Sequence, residues 1–504
     1  MKKIIVLLVL AMTSKSMQAQ GITDALRYAQ TNLNGTARFN AMGGAFGALG
    51  GDLSSINVNP AGSVIFANNQ VGGTLNVSNT KNTSTYFGNK TDDNKASFDL
   101  NQAGAVFVFD NDDQRSGWNK FALALNYENA NNLDNSVLSS GTNKFNSIDK
   151  YFLSYANGIQ KNILDNRDFS ELTYRQQQAH LGYYSYIIDP SSQNVNNTAY
   201  ITNVQGLGNY NQINSIESRG NNGKVSFNIG AQYNKKWSFG MNLNSHFSDY
   251  RRVNQFIEKN NGPIYATGST VNSITFNNDL QVRVSGFSMQ FGVIFKPVNE
   301  VRLGLAYESP TWSRVEEKIL QNISTSGFGL DNPAVPTLAG SLVVNPKYET
   351  VFEPYTLQTP SKTTGSFAYI FGKRGLISAD VAMKNYTGTV YTPRSQFLDV
   401  NNAIENNLNW AKEVRVGGEF KIEKVSIRGG YRWEESPYKF NKTYGDLTAF
   451  SGGLGFNFGY TKLDVSYAHS KRFYNESFFS QGLVDKANIS EIRNNVTVSL
   501  LFEL

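Results

Sequence analysis

The side chains best suited to acid–base or nucleophilic chemistry are three histidines, His180, His246 and His469. A hydrolase built on a barrel would need a histidine beside a serine nucleophile and an acidic residue. None of the three lies in a Gly-x-Ser-x-Gly frame, and the loop aspartates lack the spacing of a calcium-binding loop. The chain has no cysteine, which excludes disulfides, thiolate metal ligands and cysteine nucleophiles. The sequence therefore predicts no enzyme, no catalytic residue, no metal site and no cofactor.

The start of the chain predicts export. Lys2 and Lys3 precede an apolar stretch at residues 4–12, and Ala19 offers a small residue for cleavage. An apolar core of roughly nine residues is too short to span a bilayer. Residues 1–20 are therefore predicted to be a signal peptide, followed by a mature chain that begins at residue 20 or 21.

Composition narrows the class of protein. The 504 residues include 13% aromatic side chains, 44 glycines and only 12 prolines, and the mean hydropathy is −0.37. No stretch after the signal peptide is apolar enough for a membrane helix, so the chain is either a secreted all-β protein or a transmembrane β-barrel. The net charge of +6 is dispersed, without a basic patch interleaved with aromatic residues, and no nucleic-acid partner is expected.

Alternation of apolar and polar residues favours the barrel. In residues 225–233 and 237–247 one face is apolar, while the other carries serine, asparagine, glycine and glutamine. Strands of soluble sandwiches average about five or six residues, whereas several runs here have the length of tilted membrane strands. The polar faces of later runs carry charges that suit a hydrated lumen, namely Asp380, Lys384, Arg415, Glu419, Arg428 and Arg432.

The predicted fold is all-β: a transmembrane antiparallel β-barrel of about fourteen strands. The strands are expected near residues 68–78, 96–110, 119–129, 215–234, 236–256, 273–296, 300–314, 360–371, 376–386, 410–421, 425–434, 447–458, 462–469 and 494–504. Long and short connections alternate between them, as in barrels with short periplasmic turns and long external loops. Two external loops, at about residues 130–214 and 314–359, are expected to be long.

A glycine-rich stretch precedes the first predicted strand. It contains Ala41-Met42-Gly43-Gly44-Ala45, then Gly51-Asp52, then Asn59-Pro60-Ala61-Gly62. This string resembles the N-terminal hatch of the FadL/TodX family of outer-membrane transporters for hydrophobic compounds. Two later elements are similar to the same family and extend the resemblance along the chain: Tyr307-Glu308-Ser309-Pro310, and Ile427-Arg428-Gly429-Gly430-Tyr431 with Ser436-Pro437.

The resemblance implies a hatch at residues 21–67 that plugs a barrel at residues 68–504 in the bacterial outer membrane. Its hatch and gating residues would be Gly51, Asp52, Asn59, Pro60, Ala61 and Gly62. Turn chemistry is the alternative role for them, because an asparagine side chain bonds local backbone and proline fixes the chain after it. The family also implies passive uptake, with capture by external loops, a pocket beside the hatch and sideways release through a gap in the wall.

The long loop at residues 130–214 carries two apolar patches. Candidate ligand-binding residues in them are Phe152, Tyr155, Ile159, Ile163, Tyr183 and Tyr184. The first four recur at helical spacing. We expect them to collect hydrophobic cargo, and the alternative is that the two patches pack on each other or on the rim.

The expected partners are outer-membrane lipid and hydrophobic small molecules such as fatty acids or aromatic compounds. A second class of function stays open. The asparagine-rich chain looks like a protein of the Bacteroidota, in which some FadL-like barrels are subunits of secretion or barrel-assembly machines. Such a protein would use its long loops to bind outer-membrane protein partners. A sealed lumen would favour the machine subunit, and a continuous apolar pocket would favour transport.

Overall fold

A computed structural model describes residues 21–30, 32–113, 115–206, 208–440 and 443–504. The signal peptide predicted at residues 1–20 lies outside the described residues. No helix within the described ranges has the length and apolar character needed to cross a membrane.

The wall is one antiparallel sheet that closes on itself, because the last strand pairs with the first from Gln70↔Glu503 to Thr85↔Asn488. The barrel has 14 wall strands, which confirms the predicted fold class. Some wall strands are divided, so that β3 continues as β4, β10 as β11, and β12 to β14 as β15. The strands are β1 (Gln70–Tyr86), β2 (Asn89–Asp110), β3 (Trp118–Asn132), β4 (Asn135–Asn143), β5 (Ile188–Pro190), β6 (Tyr200–Thr202), β7 (Tyr210–Tyr233), β8 (Trp237–Asn260), β9 (Thr270–Phe295), β10 (Val301–Glu308), β11 (Trp312–Phe328), β12 (Ala339–Val344), β13 (Glu349–Val351), β14 (Tyr355–Gln358), β15 (Lys362–Phe371), β16 (Gly375–Asn385), β17 (Val390–Thr392), β18 (Trp410–Ile422), β19 (Val425–Glu434), β20 (Leu447–Asn457), β21 (Thr461–Ser477) and β22 (Lys486–Glu503).

Short turns lie together at one end of the barrel, which we call the short-turn end. The turns there include the described residues 111–113 and 115–117, and residues 234–236, 296–300, 372–374, 423–424 and 458–460. The start of β1 and the end of β22 lie at the same end, since Gln70 pairs with Glu503. The opposite end, the loop end, carries most of the helices, as the predicted alternation of connections requires.

Apolar side chains change faces along a single strand. In β9, Phe287 and Phe291 face outward near the short-turn end, whereas Phe276 and Val282 face inward toward the loop end. The part of the barrel near the short-turn end, where apolar residues face outward, is called the lipid belt. It comprises residues 237–247 of β8 and 285–295 of β9, with the residues that pair with them on neighbouring strands. The part toward the loop end, where apolar residues face inward, is called the vestibule, and it comprises residues 248–260 of β8 and 270–284 of β9. An apolar exterior suits hydrocarbon and an apolar interior suits a water-facing wall, so the barrel emerges from the membrane between them.

This change of face explains a correction to the sequence analysis. The long loop predicted at residues 314–359 is mostly wall, because β11 runs through its first part and β12 to β14 return beside it. Within β11, Val315, Ile319 and Ile323 face inward, and Arg314 faces outward. Strands of the vestibule therefore carry their apolar residues on the face opposite to that of a lipid-facing strand, and this reverses the pattern on which the prediction relied.

The N-terminal residues lie inside the barrel. We call residues 32–66 the lumen segment; it fills the lumen at the height of the lipid belt. The segment contains α2 (Ala37–Ala41) and two 3-10 helices, Leu53–Asn57 and Pro60–Ile65. Each of the three begins at a capping side chain, supplied by Thr36, Asp52 and Asn59 respectively. The preceding helix α1 (Ile22–Ala29) packs against inward-facing residues of the vestibule.

Residues 144–206 and 208–209 fold over the vestibule and form a cap. It contains α3 (Asp149–Ala156), α4 (Lys161–Asn166), α5 (Tyr174–Tyr184) and the β5–β6 hairpin. Helices α3 and α5 approach closely at Gly182, where an added Cβ would lie 2.6 Å from Cβ of Phe152. A further helix, α6 (Leu398–Asn407), packs with α1 in a separate apolar cluster.

Candidate functional site

Asn59 fastens the lumen segment to the wall. Its Nδ2 donates to the carbonyl oxygens of Gly47 (2.7 Å) and Val293 (3.1 Å), and its Oδ1 accepts from the backbone N–H of Ala61 (3.1 Å). Pro60 occupies the first turn of the 3-10 helix, where a missing N–H leaves no bond unmade. The same asparagine therefore makes a local turn and a tie to β9.

Two wall glycines, Gly240 and Gly292, allow this contact. A Cβ at Gly292 would lie 1.9 Å from Asn59 Oδ1, and a Cβ at Gly240 would lie 2.3 Å from the carbonyl carbon of Pro60. Sequence reasoning missed both positions. The available signal was a glycine inside a strand, which often marks the close approach of another backbone.

Gly51, Asp52 and Gly62 join the two 3-10 helices. The Asp52 carboxylate accepts hydrogen bonds from Thr36 Oγ1 (2.8 Å) and from the Ser54 N–H (2.9 Å). The Gly51 N–H donates to the Gly62 oxygen (3.2 Å), and the φ of +65° at Gly51 is one that favours glycine. The structure thus brings the six predicted hatch residues into one unit, and their part in gating stays a prediction.

Charged side chains join the lumen segment to the later strands. Arg38 Nε lies 2.9 Å from Glu419 Oε2, and Arg428 Nε lies 2.6 Å from the same oxygen. Arg428 also reaches Asp464, at 2.5 Å. Since all four side chains are largely buried, each charge depends on its partners for compensation.

Two further predicted lumen charges bind the backbone of the segment. Asp380 accepts hydrogen bonds from the N–H groups of Phe46 and Gly47, each at 3.1 Å from Oδ2. Arg415 Nη1 donates to the Gly44 oxygen at 3.0 Å. The polar faces read from the sequence therefore meet the lumen segment rather than an open channel.

Above the lumen segment lies a cavity of about 640 Å³. One side is aromatic and consists of residues that belong to the cap cluster or pack beneath it: Tyr151, Tyr174, Phe276, Phe352, Phe478 and Phe479. Ile22 and Leu26 of α1 contribute a second apolar side. A volume of this size is typical of small-molecule pockets.

The remaining side of the cavity is charged. Arg252 and Glu476 pair at 2.6 Å, and Arg27 and Asp24 pair at 2.8 Å. The guanidinium of Arg27 also lies 4.4 Å from the ring centre of Tyr250. The cavity is therefore amphipathic, with an aromatic side under the cap and one ion pair each on the wall and on α1.

The barrel wall is interrupted beside this cavity. The ladder between β2 and β3 ends at Gln102↔Glu128, and no backbone ladder joins the outer parts of β2 and β4 among the described residues. Each strand carries a bulge at this height, at Asn101 in β2 and at Ala130 in β3. Bulges bend a strand and end its pairing. Beyond these two bulges, side-chain hydrogen bonds such as those from Asn132 to Ser97 and Asp99 join the strands in place of a backbone ladder. We call this interruption the wall gap.

The lumen segment lies alongside the wall gap. The backbone N–H of Asn32 donates to the Ala130 oxygen (3.0 Å), and Asn101 Nδ2 donates to the Gly35 oxygen (2.7 Å). Asn32 and Asn131 line both this region and the cavity, so the two features are adjacent. The family resemblance implied a gap in the wall but not its position, although consecutive polar residues near position 130 interrupt the alternation of β3.

The six predicted ligand-binding residues lie in the cap and away from the cavity. Phe152, Tyr155 and Ile159 belong to the buried cap cluster, and Ile163 and Tyr183 pack against it. Tyr184 is 42% exposed. Five of the six residues therefore pack within the cap, as the alternative in the sequence analysis describes. Ligand binding by the six residues stays a prediction. The neighbouring Tyr151, one helical turn before Tyr155, lines the cavity instead.

Burial in and beneath the cap shifts the pKa of two titratable groups outside the membrane, His180 and Glu258. Burial lowers the pKa of His180 in α5 to about 4. Burial also raises the pKa of Glu258, in the vestibule part of β8, to about 7. The Glu258 carboxylate accepts hydrogen bonds from Ser147 Oγ (2.5 Å), the Ile148 N–H (3.1 Å) and Gln212 Nε2 (2.7 Å).

No protein-family model matches the sequence, and no curated protein matches it either. Solved structures do match. A FadL homologue of Pseudomonas aeruginosa aligns with a TM-score of 0.53 at 12% identity, over 94% of this chain and 99% of that chain. The Pseudomonas putida toluene transporter TodX aligns with a TM-score of 0.51 at 13% identity, over 94% and 99% of the two chains. At this identity the likeness establishes the fold: the chain is a barrel of the FadL/TodX type.

Proposed function

We propose that the protein is a channel of the bacterial outer membrane for passive uptake of hydrophobic compounds such as long-chain fatty acids. Cargo is captured by the cap, held in the cavity beside α1 and the lumen segment, and released sideways through the wall gap. The proposal rests chiefly on one observation: an aromatic cavity of about 640 Å³ adjoins the place where the ladder between β2 and β3 ends.

Sideways release follows from what occupies the lumen. The lumen segment is tied to the wall by Asn59 on one side and by Glu419 and Asp380 on another. An apolar molecule that continued straight down would have to displace these polar contacts. The wall gap lies beside Phe98 and Leu100, which face the lipid, so a short path leads from the cavity into hydrocarbon.

The hatch residues have a second part in this scheme. Gly51, Asp52, Asn59, Pro60, Ala61 and Gly62 keep the lumen closed below the cavity, and a shift of this unit would widen the space beside the gap. In the cap, the exposed Tyr184 is the predicted ligand-binding residue best placed for first contact with cargo. The similar structures named FadL homologue and toluene transporter lend the scheme support through the shared fold.

Native mass spectrometry, with density for the protein purified gently from its own membrane, tests the proposal. We expect a co-purified lipid, fatty acid or aromatic compound in the cavity. Val137→Trp with Ile216→Trp places bulk in the cavity and should remove the bound mass, while Val195→Trp on the exposed cap should retain it. Unchanged heat-dependent gel mobility would show that each variant still forms the barrel.

The alternative function is decided by the same preparation. An empty cavity together with stoichiometric protein partners on the cap would contradict transport and make the protein a FadL-like subunit of an outer-membrane secretion or barrel-assembly complex. Bound cargo without partners would contradict that alternative.

A further inference from the structure

We infer that the wall gap is a binding site for a hydrogen-bonding head group, so that the cargo is a polar-headed amphiphile and plain hydrocarbons are excluded. The inference rests on the proposed function, because it assigns a chemical class to cargo that leaves through this gap. It is carried by the chemistry of the residues that close the gap, which are mostly amides, together with Ser97 and Asp99 of β2, both of which accept hydrogen bonds from Asn132.

Amide side chains bridge the gap from both sides. Asn34 of the lumen segment donates to the backbone oxygen of Asn129, and Asn32 donates to Asn131 Oδ1. From β2, Asn101 donates to the Gly35 oxygen at 2.7 Å. These contacts hold together two strands that no longer share a ladder, so a passing molecule must break them.

Two amide atoms beside the gap have no hydrogen-bond partner among the described residues. They are Oδ1 of Asn129 and Nδ2 of Asn126, one acceptor and one donor. Both residues are almost fully buried, at 2% and 1% exposure. A buried polar atom without a partner carries a free-energy penalty, and a head group that both donates and accepts would remove it.

The outer side of the gap has the opposite character. Phe98 and Leu100 of β2 face outward and are 68% and 48% exposed, as lipid-facing residues are. A molecule within the gap therefore meets amides on its inner side and hydrocarbon on its outer side. An amphiphile whose head lies among the amides and whose tail lies in the lipid satisfies both surfaces.

A plain hydrocarbon would leave the broken amide contacts unsatisfied. The cost falls on the protein, since carbonyl and amide groups of the gap would be buried against an alkane chain. A hydroxyl or carboxylate head would replace the lost partners. The gap therefore selects by head group, while the cavity with its aromatic side accepts the tail.

The test compares decanoate, decanol and decane, three molecules with the same tail length and different heads. Cells that carry the full-length protein in their outer membrane are supplied with each compound, and entry is followed with an isotope label against cells without the protein. We expect protein-dependent entry of decanol and decanoate to exceed that of decane by about tenfold or more, because two or more buried hydrogen bonds are at stake.

The variant Asn34→Leu with Asn131→Leu makes the gap apolar and should reduce this preference to about twofold or less, mainly by admitting decane. Asn244→Leu is the matched control: it replaces another buried wall asparagine, which is bonded to Ser288 at 3.1 Å and lies on β8, two strands away from β3. It should keep the wild-type preference. Heat-dependent gel mobility again checks that each barrel has formed.

The possible results distinguish head-group selection at the wall gap from the channel function itself. Equal entry of all three compounds into wild-type cells would overturn this inference and leave the channel function standing. An unchanged preference in the apolar-gap variant would overturn the assignment to the gap. Absence of protein-dependent entry for all three compounds would refute the proposed function and this inference with it.

Discussion

Within the lipid belt the barrel is polar inside, whereas within the vestibule it is apolar inside, although the same strands build both heights. In β9 the even-numbered residues face inward throughout: Ser288 and Gln290 in the belt, then Phe276 and Val282 in the vestibule. The strand geometry is constant, and the sequence changes where the surroundings change from hydrocarbon to water. Where the outer face is apolar, the inward-facing side chains are polar, and where the outer face is polar, they are apolar.

The two heights therefore secure their contents by different means. In the belt the lumen segment is fixed by hydrogen bonds and buried ion pairs, as at Asn59 and Glu419. In the vestibule the cap is fixed by aromatic packing, as at Phe152 and Phe276, whose ring centres are 5.5 Å apart. The cavity lies at the boundary and combines ion pairs of the wall and α1 with aromatic residues that belong to the cap or pack beneath it.

The largest effect is expected where a buried charge loses its partner. Glu419→Ala leaves the buried Arg38 without its carboxylate and Arg428 with Asp464 alone, and should destabilise the lumen segment by about 3–5 kcal/mol. Urea unfolding and ion conductance in planar bilayers would measure it, with conductance expected to rise. The control Asp279→Ala removes a carboxylate paired with the exposed Arg251, and should cost about 1 kcal/mol or less. Equal effects would mean that the belt does not rely on buried charge.

A comparable loss is expected from the packing of the cap. Phe152→Ala removes a fully buried ring and should open the cap by about 3–5 kcal/mol, with little change in conductance. Hydrogen exchange in α3 and α5 would measure the opening. Tyr184→Ala, on the exposed side of α5, should leave this protection nearly unchanged. If Phe152→Ala raised conductance as Glu419→Ala does, the two heights would not be independent.

A smaller effect is expected from neutral hydrogen bonds of the belt. Asn59→Ala leaves the Gly47 oxygen and the Ala61 N–H without their side-chain partner and should cost about 2–3 kcal/mol. The measurement is the urea midpoint together with conductance, and the control is Asn196→Ala on the exposed cap. A conductance like that of wild type would argue against a part for this asparagine in closing the lumen.

The smallest effect concerns pH and the vestibule alone. Because burial raises the pKa of Glu258 to about 7, the folded cap binds more protons than the unfolded chain above the ordinary carboxyl range. The contribution of Glu258 to cap stability should therefore be fully present below the ordinary carboxyl pKa and be lost as pH rises through about 7. Hydrogen exchange of α3 across this range should show the decline in wild type and a flatter profile in Glu258→Gln. A decline that persists in this variant would assign it to another group.

The sequence alone determined the number of wall strands and the fold class. Alternation such as that at Val225, Phe227 and Ile229 is a local property, since a strand between lipid and a polar lumen must carry one face of each kind. Turn residues between such runs fixed the short-turn end for the same reason. The Asn59-Pro60 turn was also local, because the side chain bonds backbone two residues away.

Only the tertiary structure decided what the inner faces contact. Residues 314–359 form wall rather than loop, because the exterior there is water and the apolar face turns inward. Phe152 packs against Gly182, because α3 and α5 approach closely there, and a pattern within one helix does not show that contact. The wall gap depends on bulges at Asn101 and Ala130 that face each other across two strands. These features depend on which segments of the chain pack or pair with each other, and the residue pattern of one segment does not show which other segment it contacts.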